Sequence, residues 1–351
     1  TCDNSDRIMR QTASPVKNQT RASFEYEMSQ EQKLSVIIPV FNEIEVLDTC
    51  HARLTAVMSG IAGYNYDLVF IDDGSTDGTH ERLLELQAND PHLKIIKFSR
   101  NFGHQIAVTA GVDEADGDAI VVIDADLQDP PEVIPDMVRL WQDGYDVVYG
   151  VRKRRLGESR MKLWTAALFY RMLQKFTNIE IPVDVGDFRL ISARAAQYLR
   201  QLREKDRFVR GLVSWVGFRQ VGLPYDRESR LAGETKYPIR KMMKFAVDGI
   251  TSFSNLPLKL ASWLGYLASF LAFAYLISVF VQRAMGQTVE GWATIMVAML
   301  FLGGVQLICI GIIGEYIGRI FNETKSRPLY VIESKHPADA STRSVQDAGD
   351  R

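Results

Sequence analysis

Two carboxylates one residue apart follow a run of apolar residues, and this spacing suits a divalent cation. Residues 119–123 have the composition of a buried strand, and Asp124 and Asp126 come directly after it. Residues i and i+2 of a strand face the same way, so both carboxylates can point into one crevice. Hard oxygen ligands of this kind suit Mg²⁺ or Mn²⁺ that also binds a pyrophosphate. The alternative is an acidic turn that only ends the strand.

The elements that must position these carboxylates are indicated by an alternation of short β-rich runs and amphipathic stretches. Strands alternating with helices predict an α/β fold with a mostly parallel sheet. The predicted strands are 34–40, 67–71, 93–98, 119–123 and 146–149. The predicted helices are 44–59, 76–88, 104–114 and 131–143.

Polar residues stand at the carboxyl end of each of the first four predicted strands. Any one group could be a turn or a helix cap. Four groups at one edge of a parallel sheet instead predict a ligand crevice there. The groups are Pro39, Asn42 and Glu43; Asp72, Asp73, Gly74, Ser75 and Asp77; Arg100, Asn101, Gly103 and His104; and Asp124 with Asp126.

Composition narrows the class of protein. The chain has 351 residues, 46% of them hydrophobic, which is enough for a sizeable core. Its net charge of −2 argues against a nucleic-acid-binding protein, which would normally be basic. The three cysteines, Cys2, Cys50 and Cys309, have no paired spacing, so we expect no disulfide and no zinc site.

Two segments near the carboxyl end contain no charged residue, and each is longer than the roughly 20 residues that a helix needs to cross a bilayer. One lies between Lys259 and Arg283, and the other between Glu290 and Glu315. The connection is too short for a domain, so the pattern predicts a transmembrane hairpin; a buried helix pair in a soluble protein is the alternative. Aromatic residues suited to a membrane interface lie near the ends, at Trp263, Tyr266, Trp292 and Tyr316.

Positive charge is concentrated outside this hairpin, which predicts that both termini and the soluble segment are cytoplasmic. The flanking residues are Arg240, Lys241, Lys244, Lys259, Arg319, Lys325 and Arg327. The expected organisation is a disordered extension over 1–33, a soluble domain over 34–230, a juxtamembrane segment over 231–259, two spans within 260–314 and a cytoplasmic tail over 315–351. Glycines in the second span, from Gly303 to Gly318, would permit close helix packing, so a homo-oligomer is a further hypothesis.

Taken together, six motifs resemble the family 2 inverting glycosyltransferases of the GT-A fold, whose catalytic sheet is Rossmann-like. Within that family the chain is similar to polyisoprenyl-phosphate glycosyltransferases, such as bactoprenol glucosyltransferases and dolichyl-phosphate mannose synthases. The resemblance covers about residues 34–332. Phe41 stands where the family often has Tyr, and His104 where it often has Lys. The matching motifs occupy residues 38–43, 71–77, 101–103, 124–128, 187–190 and 230–237.

For the donor, the resemblance implies a nucleoside pocket and a metal site. The implied nucleotide-binding residues are Pro39, Asn42, Glu43, Asp72, Asp73 and Asp124. Asp126 would be the principal metal ligand, with Asp124 beside it, and the ion would be Mg²⁺ or Mn²⁺. Gln128 and Asp126 would contact the donor sugar. The ion would neutralise the charge that develops on the departing nucleoside diphosphate.

For the acceptor, the resemblance implies a base candidate and a set of cations. Asp187 would be the base, oriented by Arg189; a structural ion pair is the alternative. The second pKa of a phosphate monoester is near ~6, so with a lipid phosphate acceptor Asp187 would position more than it deprotonates. Candidates for binding acceptor and donor phosphates are Arg207, Arg210, Arg230 and Lys236, with solvated surface charges as the alternative. Phe245, in one of two amphipathic stretches at 159–178 and 238–253, could guide a polyprenyl tail.

The resulting prediction is a membrane-bound enzyme that transfers one hexose from a nucleotide sugar to polyprenyl phosphate on the cytoplasmic face, with inversion. UDP-glucose is favoured as donor on overall similarity, and GDP-mannose is the alternative. A processive polysaccharide synthase is disfavoured because no Arg-Trp pair occurs in the chain. A non-catalytic membrane scaffold that kept the fold is the alternative from another class.

Overall fold

The computed structural model describes residues 32–152, 185–205, 207–228, 256–286 and 291–338. These residues form eight strands of one sheet, with helices on both faces and two long helices near the carboxyl end. The amphipathic stretches at 159–178 and 238–253 and the extension at 1–31 lie outside the described residues.

The first part of the sheet alternates strand and helix as the pattern predicted. The strands are β1 (Gln32–Val40), β2 (Tyr64–Asp72), β3 (Leu93–Phe98), β4 (Ala119–Val122) and β5 (Val147–Arg152). The helices are α1 (Ile44–Ser59), α2 (Thr79–Gln87), α3 (His104–Glu114) and α4 (Ile134–Gln142), the last preceded by a 3₁₀ turn at Pro131–Val133.

After the gap, the chain adds β6 (Val185–Ser192), α5 (Ala193–Gln201), α6 (Val209–Val216) and β7 (Gln220–Tyr225). With a last strand, β8 (Ile332–His336), the strand order across the sheet is β7-β5-β6-β4-β1-β2-β3-β8. Strands β4, β1, β2 and β3 are parallel, so their carboxyl ends share one edge. Strand β6 is antiparallel to β4 and β5, so its amino end lies at that same edge.

Strand burial explains why the sheet can carry helices on both faces. Leu34, Val36 and Ile38 of β1 point into one hydrophobic cluster, and Ile37 points into the other. Strands buried on both faces read as near-continuous apolar runs, which is the composition of β1, β2 and β4. The two clusters hold the sheet as a rigid base for the loops at its edge.

The hairpin consists of α7 (Leu256–Ala284) and α8 (Trp292–Thr324). Their apolar stretches, Pro257–Gln282 and Thr294–Thr324, are long enough and apolar enough to cross a membrane. Most of their large apolar side chains are exposed, which does not fit the buried helix pair of a soluble core. At a rise of 1.5 Å per residue α8 is about 50 Å long, so it extends well beyond a ~30 Å hydrocarbon core.

The segment after the hairpin differs from the predicted tail. Residues 315–324 continue α8, and β8 (Ile332–His336) pairs antiparallel with β3 at the edge of the sheet. The Tyr330 ring stacks on Phe98, and the Gln87 amide donates to the carbonyl groups of His336 and Pro337. The second membrane helix is therefore fixed to the soluble domain by a strand.

Candidate active site

The loops after β1 and β2 are joined by hydrogen bonds that fix the first wall of the crevice. Asn42 has a left-handed backbone, with φ of 57°. Its N–H donates to Ser75 Oγ at 3.0 Å, and its Oδ1 accepts from the Thr76 N–H at 2.8 Å. The Glu43 N–H donates to Thr79 Oγ1 at 3.0 Å. Asn42 is exposed and Glu43 is half-buried, so both reach the crevice, whereas Pro39 is buried within β1.

The Asp72 and Asp73 side chains accept hydrogen bonds from backbone N–H groups of the loops around the crevice. Asp72 is fully buried and its Oδ1 accepts from the Ser75 N–H at 2.8 Å, so its side chain fixes the loop after β2; its nucleotide contact stays a prediction. Asp73 accepts from the N–H groups of Phe102 and Gly103, at 2.6 and 2.9 Å. These bonds tie the loop after β3 to the loop after β2, and the nucleotide contact of Asp73 stays a prediction.

Gly74 permits the close approach of those two loops. Its φ is +73°, and a Cβ atom built there would lie 2.6 Å from the carbonyl carbon of Arg100. Any side chain would therefore push the loop after β2 away from the loop after β3.

The acidic loop after β4 keeps the alternation that its sequence predicted. Side chains 123, 125, 127 and 129 are buried, and side chains 124, 126 and 128 are half-buried. The strand itself ends at Val122, and Leu127 takes a left-handed backbone with φ of 54°. The Gln128 N–H donates to Asp126 Oδ1 at 3.1 Å, and the Gln128 carbonyl accepts from the Glu228 N–H at 2.9 Å.

The antiparallel strand β6 brings Asp187 to this loop. Val122 of β4 is paired with Arg189, so continuing the register past the strand end sets Asp187 opposite Asp124. Asp187 is buried, and Arg210 binds it with two hydrogen bonds, Nε to Oδ1 at 2.8 Å and Nη2 to Oδ2 at 3.1 Å. Burial alone would raise the pKa of Asp187, but Arg210 and His104 hold it well below its usual range.

Arg189 does not orient the Asp187 carboxylate by a hydrogen bond, in contrast to the role that the resemblance implied. The Arg189 guanidinium donates to the carbonyl groups of Gly186 and Asp187 and lies 3.8 Å from the Asp187 carboxylate. Arg189 is buried, and burial lowers its pKa to about 10. Arg210, the second residue of α6, makes both hydrogen bonds to the Asp187 carboxylate and so takes the orienting role.

His104 stands between the two carboxylates. Its Nε2 lies 3.2 Å from Asp187 Oδ2 and 3.7 Å from Asp124 Oδ1. Burial opposes protonation of this ring, but Asp187 and Asp124 raise its pKa to about 8. The sequence placed His104 at the carboxyl edge of the sheet and marked it as a departure from the family pattern, but its position between two acidic groups depends on β6.

The acidic loop offers two carboxylates to a cation, which is only part of a full set of metal ligands. Asp124 Oδ1 is buried without a hydrogen-bond partner, and burial together with Asp187, Asp129 and Asp126 raises its pKa to about 6 despite His104. A cation near these oxygens would stabilise the charged form. No three metal-ligating side chains converge anywhere within the described residues. Mg²⁺ is often held by one or two carboxylates plus substrate phosphates, and Asp124 and Asp126 fit that arrangement.

Asp129 is a site-forming residue that the sequence reasoning missed. It is fully buried and accepts a hydrogen bond from the Tyr225 hydroxyl. Arg152 Nη2 lies 3.7 Å from Oδ2, and Arg227 Nε lies 3.4 Å from Oδ1. The available signal was that alternation places this charged residue on the core side, where a carboxylate needs partners. Asp129 thereby holds the guanidinium groups of Arg152 and Arg227 beside the acidic loop.

Comparison with known proteins identifies the family. The profile described as "Glycosyl transferase family 2" matches residues 35–200, and the one described as "GtrB C-terminal hairpin" matches residues 256–320. A protein of Bacillus subtilis (strain 168) named "Uncharacterized glycosyltransferase YkcC" is 51% identical over 310 residues, 88% of this chain and 96% of its own length. This chain belongs to glycosyl transferase family 2. It is a glycosyltransferase, and its sheet is the GT-A fold that the motifs indicated.

Other relatives of this family 2 glycosyltransferase carry more specific names. The "Prophage bactoprenol glucosyl transferase homolog" of Escherichia coli (strain K12) is 40% identical over 86% of this chain and 98% of its own. The "Bactoprenol glucosyl transferase" of Shigella phage SfII is 40% identical over 87% and 98%. Among solved structures, the mannosyltransferase PcManGT from Pyrobaculum calidifontis, in complex with GDP-Man and Mn²⁺, is 15% identical with a TM-score of 0.43, covering 84% of this chain and 94% of its own.

The structure separates Arg207 from the acidic site of this glycosyltransferase. Its Nη1 donates to the Leu202 carbonyl, and its charge interacts with Asp113 and Arg203. Asp113 and His104 lie at opposite ends of α3, about 13 Å apart along the helix axis. Arg207 thus interacts with the end of α3 opposite His104, and its phosphate contact stays a prediction. Arg230, Lys236 and Phe245 lie outside the described residues.

Proposed function

We propose that this glycosyltransferase moves a single hexose from a nucleotide sugar to polyprenyl phosphate, and that the donor is UDP-glucose. The observation that carries the proposal is the cluster in which His104 lies between the Asp187–Arg210 pair and Asp124, which is two residues before Asp126 in the acidic loop. The names of the relatives at 40% identity support glucose and a polyprenyl phosphate. The two apolar helices support a membrane-bound enzyme, which a lipid acceptor requires.

The donor half of the site would be the acidic loop. Asp124 and Asp126 would hold Mg²⁺ or Mn²⁺ together with the pyrophosphate of the donor. When bound, the ion supplies neutralisation of the charge on the departing nucleoside diphosphate. Asn42 and Glu43, in the loop after β1, would contact the nucleoside, and Gln128, half-buried like Asp126, would contact the sugar.

The acceptor half would be built on Asp187. Because Arg210 and His104 keep its pKa low, this carboxylate is a poor proton acceptor. A phosphate monoester is already largely ionised at neutral pH and needs no base. Asp187 would therefore fix the half-buried Arg210, whose guanidinium would orient the acceptor phosphate. A phosphate oxygen then forms the bond to the anomeric carbon as the bond to the diphosphate breaks on the opposite face, which inverts that centre.

Two further cations proposed for the phosphates, Arg230 and Lys236, lie outside the described residues. Glu228 is held at the acidic loop by its bond to Gln128, and Arg230 follows two residues later. Arg230 remains a proposed phosphate contact on the motif alone. Lys236 and Phe245 remain proposed acceptor contacts on the motif alone.

The test is transfer of radiolabelled sugar into the organic phase by the full chain in detergent. UDP-glucose, UDP-galactose, UDP-N-acetylglucosamine and GDP-mannose are each offered with polyprenyl phosphate and Mg²⁺ or Mn²⁺. We expect label from UDP-glucose, lost with chelator and in Asp126→Asn, and retained in Asp136→Asn, where the residue is exposed and paired with Arg139. Absence of transfer from every donor, in protein that still binds nucleotide, would contradict the proposal.

A further inference from the structure

The Gln105 side chain connects Asp187 to the start of helix α6. Its Nε2 donates to Asp187 Oδ2 at 3.4 Å, and its Oε1 accepts from the Val209 N–H at 3.0 Å. A carboxylate can only accept and a backbone N–H can only donate, so one orientation of the amide satisfies both contacts. Gln105 follows His104 directly, so two consecutive residues of α3 reach the same carboxylate oxygen.

The contact with Val209 caps a helix that has no cap of its own. Val209 is the first residue of α6, and Phe208 before it offers no side-chain oxygen. The first N–H groups of a helix need an acceptor from outside the helix, and the side-chain oxygen of Gln105, which belongs to α3, supplies one. The next residue, Arg210, makes the two hydrogen bonds to Asp187. The Gln105 amide that caps α6 therefore also fixes the backbone position from which the Arg210 side chain extends.

The loop that leads into α6 is attached at its other end to the membrane helix. The Lys205 N–H donates to Glu323 Oε1 of α8 at 2.6 Å, and Lys205 Nζ donates to the Arg327 carbonyl. Arg203 pairs with Asp113 at 2.6 Å, near the far end of α3. Residues 203 and 205 are thus held at α3 and α8, and the hydrogen bond from the Val209 N–H to Gln105 ties the start of α6 to α3.

We propose that Gln105 is a positioning residue that holds the start of α6 against Asp187, so that Arg210 and Asp187 keep their productive geometry. The catalytic consequence rests on the proposed function, because Asp187 and Arg210 act on the acceptor there. Gln105 itself touches neither substrate. A displacement of about 1 Å at a reacting group can cost about 100-fold in rate, so the loss of this amide has a measurable effect.

Two substitutions separate the two contacts. Gln105→Glu keeps an oxygen for the Val209 N–H but loses the donor to Asp187 and adds a like charge beside it. Gln105→Leu removes both contacts. The matched control is Gln87→Leu, in which a buried amide that donates to the Leu93, His336 and Pro337 carbonyls is lost far from Asp187.

In the transfer assay we expect both Gln105 variants to lower kcat about 10- to 100-fold, with the KM for the nucleotide sugar changed less than about threefold. Gln87→Leu should keep the wild-type kcat per folded molecule even if its Tm falls. A Gln105→Glu enzyme with wild-type kcat would overturn the positioning role and leave only a helix cap. Wild-type kcat in Gln105→Leu would overturn it as well.

A second readout is independent of turnover, so failure of the proposed function can be distinguished. Hydrogen exchange is followed by mass spectrometry in the peptide that contains residues 209–213. We expect faster exchange there in Gln105→Leu and wild-type exchange in Gln105→Glu and Gln87→Leu. Unchanged exchange in Gln105→Leu would overturn the proposal, whether or not the wild-type protein transfers sugar.

Discussion

At the scale of single residues, the site depends on a carboxylate whose partners keep it charged. Asp187 is buried, is bound by Arg210 and His104, and faces Asp124 across the pairing of β4 and β6. A buried carboxylate is costly unless donors surround it, so the arginine and the acid form a unit.

Asp187→Asn tests that unit. The amide cannot accept both hydrogen bonds from Arg210, so we expect kcat to fall by about 100-fold or more while nucleotide binding is retained. The measurement is steady-state transfer together with nucleotide affinity. Asp146→Asn is the matched control: Asp146 is also buried and bound to an arginine, Arg194, but lies at the other end of β6 beside Ser192. Equal loss of kcat in both variants would contradict a specific role for Asp187.

Cys50 gives a residue-scale prediction about pH. Burial raises the pKa of this thiol to about 12, with the Asp126 charge adding to the rise. At pH 8 the thiolate fraction is then about 10⁻⁴, so folded protein should resist iodoacetamide at Cys50 and react there once unfolded. Peptide mass spectrometry of the alkylated protein measures this. Rapid alkylation of Cys50 in folded protein at pH 8 would show that α1 does not pack as described.

At the scale of elements, β8 is the least expected part of the fold. It covers the edge of β3, is tied by the Gln87 amide, and adds the ion pairs Lys97–Glu333 and Lys335–Glu114. An uncovered strand edge is a template for aggregation, so β8 also protects the sheet.

A truncation after Leu329 tests this element, with a truncation after Ala338 as the control. The shorter chain loses the Phe98–Tyr330 stacking and the pairing with β3. We expect a lower Tm and greater aggregation on heating, because β3 becomes an open edge. The control keeps every described residue and should match the full chain. Identical melting of both truncations would contradict a stabilising role for β8.

At the scale of the whole molecule, the sheet constrains the topology in the membrane. Strands β1 to β7, which precede the hairpin, and β8, which follows it, belong to one sheet, and the two apolar helices lie between them in the chain. Both ends of the hairpin must then lie on the same side of any bilayer that it spans. The positive-inside rule predicts that this side is the cytoplasm.

Single-cysteine labelling in membrane vesicles tests the topology. In a cysteine-free background, Arg139→Cys and Glu333→Cys should react with a membrane-impermeant maleimide from one side, and Met285→Cys only from the other. The Met285 side chain is exposed at the end of α7, and Arg139 is exposed on α4. Labelling of all three from the same side would contradict a spanning hairpin.

The homo-oligomer stays a prediction. Gly303, Gly304 and Gly311 of α8 have open space around them, which would allow close packing of a second helix. A monomer in several mild detergents would contradict this prediction.

The sequence by itself determined the parts of this protein that depend on local pattern. Periodicity and apolar runs predicted the strands and helices through residue 149, and residues 44–59, 93–98 and 104–114 match their predicted bounds. The length of the uncharged segments predicted the hairpin. The alternation of 124, 126 and 128 predicted which acidic-loop residues share a face. These features are encoded by residues close together in the chain.

Only the tertiary structure decided the features that join distant segments. The partner of Asp187 is Arg210 because β6 runs antiparallel and α6 packs beside it, whereas sequence proximity favoured Arg189. The position of Arg207 away from the acidic site, the burial of Asp72 and the strand after the hairpin have the same origin. Side-chain partners across a sheet depend on the register and direction of strands that are distant in the chain, and the spacing of residues around Asp187 did not indicate that β6 runs antiparallel to β4.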